Sequence, residues 1–223
     1  MVNIADVTEK PELSKLLDLV HSKCSDAFRS FLRGGTVLYR GHVVSTDKCG
    51  FEIRPQDYKR KSKYTANYYT VLLSQLPSFA NYPPRDKSLI CTTDFEIANG
   101  FARDLDENLY VVFPVNGTKI GIANAPDLWL VRDKSLWYFS EKMERYFGGV
   151  CLDTYEKQLA LEKFNNTGTV YKKAVETWNP ELFGFELKTT SQLYNNSVSQ
   201  NTEVWFSNNA YMIRYNSLEK YRR

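Results

Sequence analysis

The sequence has 223 residues, 43% of them hydrophobic, which is enough for a substantial core. Its formal net charge of +3 is too small to indicate a nucleic-acid-binding protein by itself, so the distribution of the basic residues matters more than their sum. Four cysteines without a CxxC pair and only two histidines argue against a zinc site and for reduced thiols in a cytosol.

The N-terminal segment lacks the features of an export signal. Its first residues, MVNIADVTEKPELSKLL, contain acids and a proline where a signal peptide has a basic start and an unbroken apolar run. No apolar run in the sequence approaches the roughly twenty residues that a membrane-spanning helix needs. We therefore expect a soluble cytoplasmic protein with no membrane partner.

The predicted elements begin with a helix and continue with short strands. Apolar residues at helical spacing predict a helix over Pro11 to Leu32, which Gly34 and Gly35 end. TVLYRGH and SLICTT are predicted strands, separated by a helical or mixed segment over 54–76. LYVVFPVNGTKIGIA predicts two paired strands that turn at Asn116-Gly117, and TEVWFS with AYMIRY predicts a late pair.

A long middle section, residues 126–196, separates these strand pairs. The stretches SLWYFSEKMERYF and YEKQLALEKFNN have helical periodicity. We interpret the section as a helical insertion before the last strands of one α+β domain that covers residues 1–223.

Three separated segments place complementary side chains at strand ends. Arg40 ends the first strand, Thr92 and Thr93 end the second, and Glu203 begins a later one. An arginine fork suits a diphosphate because two parallel charge-assisted bonds fix its orientation as well as its position. A threonine hydroxyl can bond a ribose, and a carboxylate facing a sugar stabilises an oxocarbenium-like transition state. The combination is typical of a site that breaks the N-glycosidic bond of a nucleotide.

The order LYRG, ICTTDFEIANGF, VVFPVNGTKIG and NTEVWF resembles the Arg, Ser-Thr-Ser, Glu pattern of the ADP-ribosyltransferase superfamily. The match covers most of the chain outside the middle section. It implies a split pair of mostly antiparallel sheets, with an N-terminal helix, that clasps NAD⁺ without a metal. By this resemblance Arg40 contacts the NAD⁺ phosphates, Thr92 and Thr93 bond the nicotinamide ribose and position the glutamate, and Glu203 stabilises the ribosyl cation.

Neighbours of these motif residues are assigned to the cofactor site on the same resemblance. They are Tyr39 and Gly41 beside the arginine, Cys91 in place of the usual first serine, and Phe101, which could stack on nicotinamide or equally belong to the core. Gly41 would let another backbone or a ligand come close. A simpler interpretation of the threonine pair also exists, in which Thr93 or Asp94 caps the helix that follows.

Besides Cys91, two further departures from the family pattern affect the prediction. Many protein-modifying relatives carry Glu or Gln two residues before the catalytic glutamate, and Asn201 stands there in this chain. The long middle section also leaves Glu176, Glu181 and Glu186 as rival carboxylates. We prefer Glu203 because it precedes an apolar run, as a residue mounted on a strand should.

A segment that interleaves cations with tyrosines indicates which kind of molecule accepts the ADP-ribose. RPQDYKRKSKYTANYY contains Arg54, Lys59, Arg60, Lys61 and Tyr64, and single-stranded nucleic acids use such cations for phosphates and such rings for unpaired bases. A solvated helix face with half-buried tyrosines is the alternative interpretation. The amide of Asn201 could read a base edge.

These observations together predict a mono-ADP-ribosyltransferase that modifies nucleic acid, with single-stranded RNA favoured over DNA. SKYTANYYTVLLSQLPSFANYPPRDKSLICTT is similar to phage and prophage members of the superfamily, which implies phage–bacterium conflict or a toxin, a bacterial host cytoplasm and an antitoxin partner. The first alternative is an enzyme of the same kind that modifies a protein. The second is a non-catalytic nucleic-acid-binding module that retains the fold.

Overall fold

The computed structural model describes residues 11–42, 48–57, 74, 76–103, 108–123, 125, 180, 184–196 and 201–221. Within them the helices are α1 (Pro11–Lys23), α2 (Ser25–Leu32), α3 (Phe95–Ala102), α4 (Thr190–Asn195) and α5 (Tyr215–Leu218). The strands are β1 (Leu38–Gly41), β2 (Gly50–Ile53), β3 (Leu89–Thr92), β4 (Leu109–Pro114), β5 (Lys119–Ala123), β6 (Phe185–Thr189), β7 (Glu203–Phe206) and β8 (Ala210–Arg214). The predicted α+β class is confirmed.

The N-terminal helical region is two helices, where the sequence predicted one. Cys24 separates α1 from α2 with φ −127° and ψ 35°. Its buried thiol donates to the carbonyl of Phe113 at 3.3 Å, and Asn116 accepts from the N–H of Asp26 at 3.2 Å. The break therefore lies where the helices contact β4 and the turn after it. None of the described helices combines the length and apolarity that crossing a membrane requires.

The described strands form one antiparallel sheet in the order β2-β8-β4-β1-β3-β7-β5-β6. A single register pair, Tyr39 opposite Thr92, joins β1 to β3. We call β2, β8, β4 and β1 the first half of the sheet, and β3, β7, β5 and β6 the second half. The two separate sheets expected from the sequence are thus two halves of one continuous sheet.

Both predicted strand pairings are wrong. The turn at Asn116-Gly117 exists, with Gly117 at φ 77°, but β4 pairs with β1 and β8, whereas β5 pairs with β6 and β7. The late strands diverge in the same way, because β7 pairs with β3 and β5, and β8 with β2 and β4. The N–H of Asn116 donates to the Lys23 carbonyl at 2.9 Å, and that of Gly117 to the Thr190 hydroxyl at 2.8 Å. Helices α1 and α4 thus hold the turn at residues 116–117, where the chain crosses from the first half of the sheet to the second.

The halves share a core on one face of the sheet. Buried residues from both halves form a single apolar cluster there, including Leu38, Val112 and Met212 from the first half and Cys91, Ile122 and Val204 from the second. We call this the inner face. On the opposite, outer face of the first half, helices α1, α2, α3 and α5 cover a second cluster that contains Tyr39 and Val111.

The predicted helical insertion lies mostly outside the described residues. Its last part differs from the prediction, because residues 185–189 form β6, an edge strand beside β5. Thr189 and Gln192 then form a capping box that starts α4. In the segment predicted as helical or mixed, Pro55–Asp57 forms a 3₁₀ helix, and residues 58–73 lie outside the described residues.

Candidate active site

Two of the three predicted motifs meet on one face of the sheet. Tyr39 is opposite Thr92, and Thr92 is opposite Glu203, so a row of paired residues crosses β1, β3 and β7. Side chains of directly opposed residues in antiparallel strands lie on the same face. All three residues are buried. The fold therefore brings Thr92, Glu203 and Tyr39, the residue before Arg40, together on the outer face.

Arg40 lies on the other face of the sheet. Its register partner on β4 is Tyr110, which belongs to the inner-face core, as does Cys91. The guanidinium donates through Nη1 to the carbonyl of Ile90, and its buried Nε has no hydrogen-bond partner in the described structure. Burial lowers the pKa of Arg40, against the effect of the nearby Cys91. Arg40 thus lies one residue from the row of Tyr39, Thr92 and Glu203, and its side chain is on the opposite face of the sheet from Glu203.

The paired hydroxyls hold the end of β3. The Thr92 hydroxyl accepts from the N–H of Asp94 at 3.0 Å, and the Asp94 carboxylate caps α3 by accepting from the N–H of Ile97 at 3.0 Å. Thr93 exchanges two bonds of 3.0 Å with Thr202, donating its N–H to the carbonyl and accepting at its hydroxyl from the N–H. The capping interpretation is confirmed for Asp94. Thr93 instead extends the contact between β3 and the chain entering β7.

Gly41 admits another backbone, that of α3. A Cβ at this position would lie 2.2 Å from the carbonyl oxygen of Ala98 and 2.3 Å from the nitrogen of Ala102. Tyr39 packs edge-on against Phe95 of the same helix, with ring centroids 5.6 Å apart. Phe101 on α3 is 41% exposed, so it belongs to the surface and not to the core.

The close packing of α3 against Gly41 leads to a prediction about stability. Replacing Gly41 by Ala should lower the free energy of unfolding by about 3 kcal/mol, because backbone atoms of α3 cannot move aside as a flexible side chain can. Gly100 is the matched control, since a Cβ there meets nothing within 4 Å. Gly100→Ala should raise stability by about 0.5 kcal/mol or more through helix propensity. Urea unfolding measures both; equal effects in the two variants would contradict the close packing.

The structure adds a residue that sequence reasoning missed. Arg85, in the 3₁₀ helix Arg85–Lys87, places Nη1 2.5 Å from Oε1 of Glu203. The two residues are only 5% and 4% exposed. Nothing in PPRDKS marks Arg85 as buried. The only available signal was that an arginine lies four residues before a buried strand.

Aromatic rings hold this arginine against β7. The Arg85 guanidinium lies 5.5 Å from the ring centroid of Trp205, which is two residues after Glu203 and therefore on the same face. Trp205 donates from Nε1 to the carbonyl of Pro83 at 3.0 Å, and Tyr82 stacks on it with an interplanar angle of 20°. The turn that carries Arg85 is thus attached to the strand that carries Glu203.

The residues predicted to bind the acceptor are only partly within the described structure. Asn201 is exposed and has φ 74°, a left-handed conformation that asparagine adopts more readily than most residues, so its backbone supplies one reason for its identity. Arg54 is largely exposed, and its Nη2 lies 3.7 Å from the Glu52 carboxylate. The other predicted acceptor residues, Lys59, Arg60, Lys61 and Tyr64, lie outside the described residues.

Of the rival carboxylates, the structure describes one. Glu186 lies on edge strand β6, which β5 separates from β7, and pairs with Lys188 at 2.7 Å. Glu176 and Glu181 lie outside the described residues. Among the described residues Glu203 is therefore the candidate that adjoins the threonine motif.

A pocket of about 350 Å³ lies at the opposite end of the sheet from Glu203. It is lined by Lys23 at the end of α1, by Glu52 of β2 and Tyr211 of β8, and by residues of the connections beside these strands: Gln56, Val115, Asn208 and Asn209. In the part of the chain that the structure describes, no group of three or more His, Cys, Asp or Glu could hold a metal ion.

Comparisons of this chain with protein-family models, curated proteins and solved structures gave no significant match.

Proposed function

We propose that this protein is an NAD⁺-dependent mono-ADP-ribosyltransferase. The observation that carries the proposal is the row formed by Tyr39, Thr92 and Glu203 on adjacent strands. Thr92 and Glu203, which the sequence selected for nucleotide glycoside chemistry, lie opposite each other beside Tyr39, the residue before Arg40. Arg40 follows Tyr39 directly in β1 and so lies one residue from the row.

In the proposed reaction the bond between the ribose C1′ and the nicotinamide nitrogen breaks. Nicotinamide leaves with the electron pair, which neutralises its ring, and the carboxylate of Glu203 stabilises the positive charge that develops on the ribose. A nucleophile on the acceptor then bonds to C1′ and loses its proton. Thr92 and Thr93 keep β3 in place beside the carboxylate, and Arg40 binds the diphosphate of an NAD⁺ that lies across the strand ends.

The proposed acceptor is nucleic acid, with single-stranded RNA ahead of DNA. Support comes from the exposure of Arg54, where the basic and tyrosine-rich segment starts, and of Asn201, which lies two residues from Glu203. A protein acceptor is the alternative within the same chemistry. The proposed setting is a toxin or a phage–bacterium conflict protein in a bacterial cytoplasm, held in check by an antitoxin.

Labelled NAD⁺ tests the proposal. The protein is incubated with a bacterial lysate and NAD⁺ labelled in its adenylate part, and aliquots are then treated with protease, ribonuclease or deoxyribonuclease. We expect release of nicotinamide and a label that ribonuclease removes. A label removed only by protease would assign a protein acceptor. If neither nicotinamide release nor label is detected, the proposed enzymatic activity is overturned and the non-catalytic binding module remains.

The proposed role of Arg40 leads to a separate prediction about NAD⁺ affinity. Replacing it with Lys keeps the charge but removes the planar fork, so NAD⁺ should bind about tenfold more weakly. Arg33, an exposed residue after α2, is the matched control, and Arg33→Lys should bind NAD⁺ as the unmodified protein does. Calorimetric titration measures both affinities. Equal affinity in Arg40→Lys and the control would remove Arg40 from the phosphate site.

A further inference from the structure

Arg85 is placed to act on Glu203 through a contact that excludes water. The ion pair between Nη1 and Oε1 spans 2.5 Å, and both side chains are almost completely buried. We infer that Arg85 is a positioning residue for the Glu203 carboxylate in the proposed reaction. This inference rests on the proposed function and adds to it the residue that sets the orientation of the carboxylate.

The surroundings of the pair fix both partners. Glu203 extends from β7 between two strands, opposite Thr92 of β3 on one side and Ala123 of β5 on the other. Arg85 is confined between the carboxylate and the ring of Trp205, and the carbonyl of Pro83 anchors that ring. A carboxylate held in this way has little rotational freedom, which is what a group that stabilises charge at one ribose atom requires.

Stability alone does not explain a pair at this position. Buried ion pairs can often be replaced by apolar residues of similar volume without loss of stability, because the desolvation of two charges offsets their attraction. This pair also lies at the strand end where Thr92 and Glu203 meet, beside the packed rings of Trp205 and Phe185. Its position indicates a role in orienting the carboxylate.

Arg85→Lys is the test variant, because it keeps the cation and removes the planar fork. We expect the kcat of NAD⁺ cleavage to fall about tenfold while the KM for NAD⁺ stays within about twofold, since the carboxylate is misplaced but the phosphate contacts are not changed. Lys87→Met is the control, because Lys87 is an exposed cation in the same turn. Its kcat should match that of the unmodified protein.

A double variant separates positioning from a purely structural role. If Arg85 acts through the carboxylate, Arg85→Lys combined with Glu203→Gln should turn over NAD⁺ no more slowly than Glu203→Gln alone. A structural role would lower the rate of the double variant by a further tenfold. That result, or an unchanged kcat in Arg85→Lys, would overturn the inference and leave the proposed function intact. If the unmodified protein does not cleave NAD⁺, the proposed function is overturned, and the inference with it.

Discussion

Replacement of Glu203 by Gln is expected to lower the turnover of NAD⁺ by about 10²-fold or more. The amide keeps the shape of the side chain but lacks the negative charge that, in the proposed reaction, stabilises the developing ribosyl cation. NAD⁺ affinity should change little, because the proposed diphosphate contacts lie with Arg40. Rapid-quench measurement of nicotinamide release, together with NAD⁺ titration, checks both expectations.

Glu186→Gln is the matched control for this experiment. It makes the same chemical change on β6, where the carboxylate pairs with Lys188 and is half exposed. We expect its turnover to equal that of the unmodified protein. Near-normal turnover in Glu203→Gln would transfer the catalytic role to another carboxylate, and a large loss in Glu186→Gln would identify which one.

Replacement of Arg85 by Met should lower the free energy of unfolding by about 3–5 kcal/mol, because it leaves the Glu203 carboxylate buried without its cation. Adding Glu203→Gln to this variant should recover most of the loss, since no unpaired charge then remains. Urea unfolding at neutral pH measures the single and double variants. Recovery by the second substitution is the distinctive result, because two independent defects would add.

An exposed ion pair supplies the control. Arg29 lies 2.9 Å from Asp26 on α2, with 60% of its side chain exposed, so Arg29→Met should cost less than about 1 kcal/mol. If Arg85→Met costs no more than this control, the pair with Glu203 contributes little to stability. If the double variant is as unstable as Arg85→Met alone, lost packing against Trp205 is responsible and the unpaired charge is not.

Local signals in the sequence predicted most element positions. β-branched and aromatic runs marked β1 and β3, and the asparagine and glycine at 116–117 marked a turn that is present. The carboxylate of Asp94 marked the start of α3. Each of these features depends on residues a few positions apart, so their physical causes are visible in a short stretch of sequence.

Long-range pairing could not be predicted in the same way. The turn at 116–117 was interpreted as a hairpin, yet β4 and β5 pair with other strands. β4 is buried along its whole length, so its apolar pattern carries no information on which strand lies beside it. The edge strand β6 was missed for another reason, because it lies in a section that was interpreted as helical from two stretches nearer its start.

For this protein, the sequence by itself determined that an arginine, a pair of threonines and a glutamate lie at or near the ends of short strands, because strand propensity and side-chain identity are local properties. Only the tertiary structure decided that Thr92 and Glu203 lie opposite each other while Arg40 faces the other side of the sheet. Alternation along a strand makes that outcome depend on a register of one residue, which neighbouring strands set. The tertiary structure also selected Arg85 as the partner of Glu203, because a buried carboxylate requires a cation from whichever distant segment the fold brings to it.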